Sequence, residues 1–196
     1  MEILEKILGN GARVKIMKMF LLGKGKGFQV KDIAKRTRVG SSAVRKEMKL
    51  LAGTGFIKKR SSASLEWFFN PSFKYRKEFE DLLVRSGTLS PESILDNFKK
   101  IGKVKFLVVA GVFTKNEDSR VDLLIVGDKM KRAKIEAGIR RLEAEIGTEL
   151  VYAVFETKEF IYRLSMYDKL VRDILDFPHE VLIQSKELST QALKKT

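Results

Sequence analysis

Ser42, Arg45, Lys46 and Lys49 recur at i, i+3, i+4 and i+7, the spacing that gathers side chains on one face of a helix. Ser41 opens the same run, SSAVRKEMKLLAG. Serines at a helix N-terminus can cap it and bring backbone N–H groups close to a phosphate, and Arg and Lys one turn later reach phosphate oxygens or base edges. Val44, Met48 and Leu51, at i, i+4 and i+7, form an apolar stripe about 140° away on the same helix. One face therefore suits a polyanion and the other a core. Lys58, Lys59 and Arg60 follow as a second cationic group.

The elements needed to position these residues are legible on both sides. Val30, Ile33, Ala34 and Thr37 carry the spacing of a shorter helix, separated from the basic one by Arg38 to Gly40, so the two must turn sharply. Arg13 to Leu22 reads as a supporting apolar helix interrupted by Arg13, Lys15 and Lys18. Gly53 and Gly55 end the basic helix, and Phe56 to Arg60 and Leu65 to Phe69 flank a Ser/Ala tip as a β-hairpin with a basic edge. A basic helix alone is most simply a solvated surface helix. The close helix pair before it and the hairpin after it shift the reading toward DNA. The apolar-small-Ser-Ser-Ala-Val start, the Met48-Lys49-Leu50-Leu51 middle and the Gly55-Phe56-Ile57 exit resemble the winged helix-turn-helix DNA-binding domains of prokaryotic transcription regulators, over residues 1–70.

Charge is distributed in the same sense. The chain has 196 residues, 44% of them hydrophobic, enough for two small domains with cores. Its net charge is +14; residues 1–70 hold 16 Lys+Arg against 5 Asp+Glu, and the remainder holds 23 against 20. Such asymmetry points to nucleic acid before membrane. There is no cysteine, which excludes disulfides, thiolate chemistry and Cys-based zinc sites. No run approaches about 18 apolar residues and the start lacks a signal-peptide core, so no membrane partner is expected and a cytoplasmic location is.

Asn70-Pro71 marks a boundary. Residues 71–102 read as a helical linker: a helix from Phe73 to Arg85 with Phe79, Leu82 and Leu83 inward, then a second opened by Ser90-Pro91-Glu92 and carrying Ile94, Leu95 and Phe98. Residues 103–196 alternate strands and helices. Strands are expected at Val104 to Phe113, Val121 to Val126, Leu150 to Phe155 and Glu180 to Ile183, with helices at Lys131 to Ile146 and Glu159 to Leu175. The fold class is α/β (α+β), an N-terminal helical and hairpin domain followed by a mixed-sheet domain.

A strand ending in Gly111, a polar loop and a strand opening at Asp122 resemble the minimal nucleotidyltransferase domains of the DNA polymerase β superfamily, and residues 155–183 resemble their tail. The resemblance implies a Gly-Ser pair after the first strand and an Asp-x-Asp pair on the second, the carboxylates holding divalent metals that orient a triphosphate. This chain reads Gly111-Val112 and Arg120-Val121-Asp122. Arg120 places a cation where a metal would sit, on the same strand face as Asp122, and Val112 lacks the hydroxyl. Gly111, Arg120 and Asp122 thus mark a ligand or vestigial site, catalytic residues are absent, and neither metal nor cofactor is expected.

Weaker signals resolve blandly. Gly23-Lys24-Gly25-Lys26-Gly27 lacks phosphate-loop spacing, His179 has no second His or Cys, Trp67 reads as a hairpin core residue, and Lys131-Arg132-Lys134 and Arg140-Arg141 read as solvated faces. The expectation is a DNA-binding transcription regulator with a catalytically inactive nucleotidyltransferase-like sensing or assembly domain. Its partners would be double-stranded DNA, a second copy in a homodimer, and a small-molecule or protein effector. An active nucleotidyltransferase targeted by a DNA-binding domain and an antitoxin-like protein-binding partner are the alternatives.

Overall fold

Asn10 starts the first long helix, its side-chain oxygen accepting from the Ala12 N–H at 2.9 Å. After a short α1 (Glu2–Ile7), α2 (Gly11–Leu22) buries Val14, Ile16, Met17, Lys18, Met19 and Phe20, so it is enclosed nearly all round. The computed structural model describes residues 2–23, 25–61, 64–85, 89–99, 101–114, 116 and 119–188. Helix and sheet are mixed, and the chain divides into two units, Met1–Leu89 with Arg140–Glu149 and Ser90–Ile139 with Leu150–Thr196.

In the first unit, α3 (Val30–Thr37) begins where the Gln29 N–H donates to Asp32 at 3.4 Å, and it buries Ile33 and Thr37. Arg38, at φ 58°, takes the left-handed conformation that ends it, and α4 (Ser41–Gly53) follows directly after Gly40. β1 (Ile57–Lys59) and β2 (Trp67–Phe69) pair antiparallel, with Ile57 opposite Phe69 and Lys59 opposite Trp67. Phe28 joins their sheet as a bridge, exchanging both backbone bonds with Trp67 at 2.9 Å. Residues 62 and 63 of the expected tip lie outside the described residues, as does Lys24 of the glycine-rich turn.

Of the stretch expected as a linker, residues 71–102, the first part enters this unit's core through Phe73, Phe79 and Leu83, and the part from Ser90 belongs to the second unit. Phe56 stacks edge-on against Phe69 and Phe73, both at 5.2 Å, and against Phe79 at 6.2 Å. The expected single helix from Phe73 is instead α5 (Arg76–Glu80) continued by a π turn over Asp81–Arg85. Leu83 is fully buried while Leu82, expected inward, is 41% exposed. A π turn takes more residues per revolution, so i+4 from Phe79 returns to the core face and i+3 does not. Lys18 is 2% exposed and donates to the Glu145 carbonyl at 3.4 Å; burial pushes its pKa below the ordinary 10.5, against the attraction of Glu145 and Glu5.

In the second unit, α6 (Pro91–Phe98) is capped by Ser90, whose hydroxyl accepts from the Ser93 N–H at 3.3 Å. The sheet comprises β3 (Lys103–Val109), β4 (Leu123–Asp128), β5 (Tyr152–Phe155) and β6 (Glu180–Gln184) in the order β5-β4-β3-β6. β4 and β5 run parallel; the β3–β4 and β3–β6 pairs are antiparallel. β3 stops at Val109 rather than Phe113, because Gly111–Phe113 coil into a 3-10 turn. α7 spans Arg132–Ile146. Within this unit Gly138 lets α7 meet α6, since a Cβ there would lie 2.7 Å from the Asn97 carbonyl.

The expected helix from Glu159 to Leu175 is two: α8 (Thr157–Ser165) and α9 (Lys169–Asp176). Tyr167, at φ 54°, breaks the path, and Asp168 restarts it by accepting from the Leu170 and Val171 N–H groups at 2.9 and 3.2 Å. Phe106, Val108, Leu124 and Val126 join Phe160, Val171 and Ile174 of these helices in one cluster. Leu107, Val109, Leu123 and Ile125, which alternate with them, are buried as well.

Candidate nucleic-acid interface

α4 presents two contrasting faces. Val44 is fully buried and Met48 and Leu51 are 2% exposed, whereas Ser41, Ser42, Arg45, Lys46 and Lys49 are all exposed. Among the described residues, none of those five side chains makes a hydrogen bond or ion pair. The serines do not cap the helix as the sequence suggested. Gly40 is the N-cap and supplies no side-chain acceptor, so Ser41 and Ser42 form the first helical residues beside backbone N–H groups that lack a side-chain partner. Such a helix end favours an anion.

What holds α4 in place is an acid that sequence reasoning passed over. Glu47 is 2% exposed and accepts from Asn10 Nδ2 at 2.9 Å and from Arg13 Nε at 2.8 Å. Arg13 also donates to the Leu8 carbonyl at 2.8 Å. The carboxylate thereby ties the middle of α4 to the start of α2, and its desolvation is offset by charged and neutral donors together. The one available signal was position: Glu47 falls beside the buried stripe, away from the basic face on which an acid would be solvated.

The hairpin arms its cations differently. Lys58 is exposed without a described partner, while Lys59 Nζ stands 5.1 Å above the Trp67 ring and Arg60 Cζ 4.1 Å above Phe68. Stacking on a ring narrows the rotamers of a long cationic side chain and leaves its donors free at the edge. Trp67 is half-buried against the unit's core.

The second set of candidates separates. Gly111 and Asp122 come together: Asp122 Oδ1 accepts from the Val112 N–H at 2.9 Å, and a Cβ on Gly111, whose φ is 51°, would overlap that oxygen. Asp122 Oδ2 accepts from the Val151 N–H at 2.9 Å, so both oxygens fasten backbone. Arg120 goes elsewhere, pairing with Asp173 of α9 at 3.3 Å. The expectation that Arg120 and Asp122 share a strand face fails because β4 begins at Leu123, leaving both residues in the preceding loop. No group of three His, Cys, Asp or Glu side chains able to hold a metal occurs among the described residues.

Other charged positions are structural or solvated. Lys105 sits at a register shift in β3 and binds Asp128 at 2.8 Å and Glu187 at 2.7 Å. Arg132 pairs with Glu136 one turn on at 3.1 Å, and His179 Nδ1 lies 2.8 Å from the Phe177 carbonyl. No helix among the described residues is long and apolar enough to cross a membrane. Comparison with protein-family models, with curated proteins and with solved structures returned no match.

Proposed function

We propose that the protein is a DNA-binding transcription regulator, with a winged helix-turn-helix module built from α2 to α4 and the β1–β2 hairpin. The observation that carries this reading is the outer face of α4: Ser41, Ser42, Arg45, Lys46 and Lys49 stand exposed opposite the buried Val44, Met48 and Leu51. A helix held by its inner face and left unpaired and cationic on its outer one is suited to a major groove. Lys58, Lys59 and Arg60 then meet the flanking phosphates. The excess of positive charge in residues 1–70 supplies the electrostatic term that attracts DNA of any sequence.

The second unit, in this reading, is a nucleotidyltransferase-like module that transfers no nucleotide and serves in sensing a small-molecule or protein effector, or in assembly. Support comes from Asp122, whose two oxygens each accept a backbone N–H, from Val112 and from Val151, and so serve to fasten the loop. A homodimer in the cytoplasm completes the proposal, since one recognition helix reads few base pairs and a twofold doubles the site.

The test is selection of bound duplexes from a randomised pool by the full-length protein, followed by titration of the enriched sequence and a scrambled control at one salt concentration. Preference for the enriched duplex by about three orders of magnitude agrees with specific recognition. Equal retention of both duplexes, no tighter than that of an unrelated basic protein, overturns it.

A further inference from the structure

Among the described residues, β5 is an outer strand, paired in its sheet with β4 alone. The Val151 carbonyl accepts from Asp122 and Leu123, and the Val151 N–H donates to Asp122, so the Val151 backbone faces the β4 side. Backbone groups alternate in direction along a strand, and those of Tyr152 and Val154 therefore point outward. Among the described residues, neither makes a hydrogen bond on that side.

Outer strands are ordinarily guarded by Lys, Pro or a bulge, because an open ladder recruits another strand. Leu150 to Phe155, LVYAVF, carries no charge and no proline, and its ladder with β4 runs without a shift. Val151 is 58% exposed and Tyr152 39%. The opposite edge is treated differently: β6 is bordered by Glu180, Lys186 and Glu187, and its ladder with β3 shifts between Leu107 and Val108.

We propose that β5 is a homodimer seat, pairing antiparallel with β5 of a second copy across a twofold axis. A twofold axis normal to the sheet makes a strand and its copy antiparallel, and the outward groups fix the register. Tyr152 exchanges both backbone bonds with Val154 of the copy, Val154 does so with Tyr152, and Ala153 meets its own equivalent on the axis. That central pair is of the narrow kind, with Cα atoms about 4.5 Å apart, and Ala153 is the smallest side chain in the strand. Self-pairing also opposes no like charges, and Glu156 falls across from Leu150 of the copy. A second copy is thus matched to this edge in direction, register and charge. The seat supplies the twofold assembly called for by the DNA-binding proposal but does not depend on it, because the oligomer is measured without DNA.

The chain contains no cysteine, so Ala153→Cys in the full-length protein creates a single thiol that this register holds within disulfide reach of its copy. Sedimentation of the unaltered protein gives twice the chain mass. Oxidation converts Ala153→Cys into a covalent dimer on a denaturing gel, whereas Val181→Cys, on the β6 edge, remains a monomer. Val154→Pro removes an outward N–H and moves the sedimenting species toward monomer with an unchanged circular dichroism spectrum; if that variant misfolds, Tyr152→Lys at its exposed position gives the same shift. A protein that is monomeric at every concentration, a dimer left intact by Tyr152→Lys, or cross-linking as rapid at Val181→Cys as at Ala153→Cys overturns the proposal.

Discussion

Glu47 Oε2 accepts from Arg13 Nε at 2.8 Å, joining the buried side of α4 to the first turn of α2 across 34 residues of sequence. The basic face of α4 takes its orientation from this bond and from the apolar stripe beside it. Removing one partner leaves a charge desolvated without its counter-ion, so Glu47→Ala lowers stability by about 2–4 kcal/mol, read as a fall in the urea midpoint. Replacing both Glu47 and Arg13 by Met recovers much of that loss, since no unpaired charge then remains. Additive losses in the double variant contradict this account.

Arg45→Ala costs about 1–3 kcal/mol of binding to the selected duplex and relaxes sequence preference, as expected for contact with a base edge. Lys58→Ala weakens selected and scrambled duplexes alike. If about five phosphates are neutralised per protomer, log K falls against log salt with a slope of roughly −4 to −5, and Lys58→Ala reduces that slope by about one. Anisotropy titrations at a series of salt concentrations measure both quantities.

Asp122→Ala acts on stability, because it strips the acceptor from the Val112 and Val151 N–H groups. The expected cost is about 1–3 kcal/mol in thermal or urea unfolding. Incubation of the unaltered protein with labelled nucleoside triphosphates, magnesium or manganese, and protein, RNA or small-molecule acceptors gives no transfer. Magnesium-dependent labelling that Asp122→Ala abolishes would restore an enzymatic role.

Acid sensitivity has a definable source in the second unit. The Asp128 carboxyl is held at about 2, below its ordinary 3.8, first by Lys105 and then by Thr157, whose N–H donates to it at 3.3 Å. Between those two values the unfolded chain binds a proton that the folded chain refuses, so this stabilisation is present above pH 3.8 and drains away as pH falls toward about 2. Asp128 and then Glu187 in turn raise Lys105 above 10.5, adding stability that is complete below that value and is lost as pH rises through its folded pKa. Urea midpoints measured on the acid side fall less steeply in Lys105→Met than in the unaltered protein.

Local signals were the legible ones. α3, α4 and α6 announce themselves because their periodicity and the Ser90-Pro91 start act within a few residues, and the apolar stripe of α4 is buried as its spacing requires. The break at Tyr167 was illegible, since no Gly or Pro marks it; Asp168 before Lys169-Leu170-Val171 was the cap signal that could have shown it. Long-range partners stayed hidden. Nothing within α2 indicates that Lys18 is buried, because its partner is a carbonyl at residue 145, and Arg120 gives no sign in sequence that it answers Asp173 rather than Asp122. β4 starts at Leu123, two residues after the expected Val121, for the same reason: Asp122 turns to backbone far along the chain.

β6 pairs with β3, Phe106 opposite Gln184 and Leu107 opposite Ile183. On the ribosome, the side of β3 from Phe106 to Val109 therefore waits for nearly the whole second unit to be synthesised before it finds its neighbour. Until then Leu107, Val108 and Val109 line an open edge in a nascent chain, the kind of surface that draws chaperones and mispaired strands. The strand that most needs shelter is among the first of its sheet to emerge, and its cover is the last.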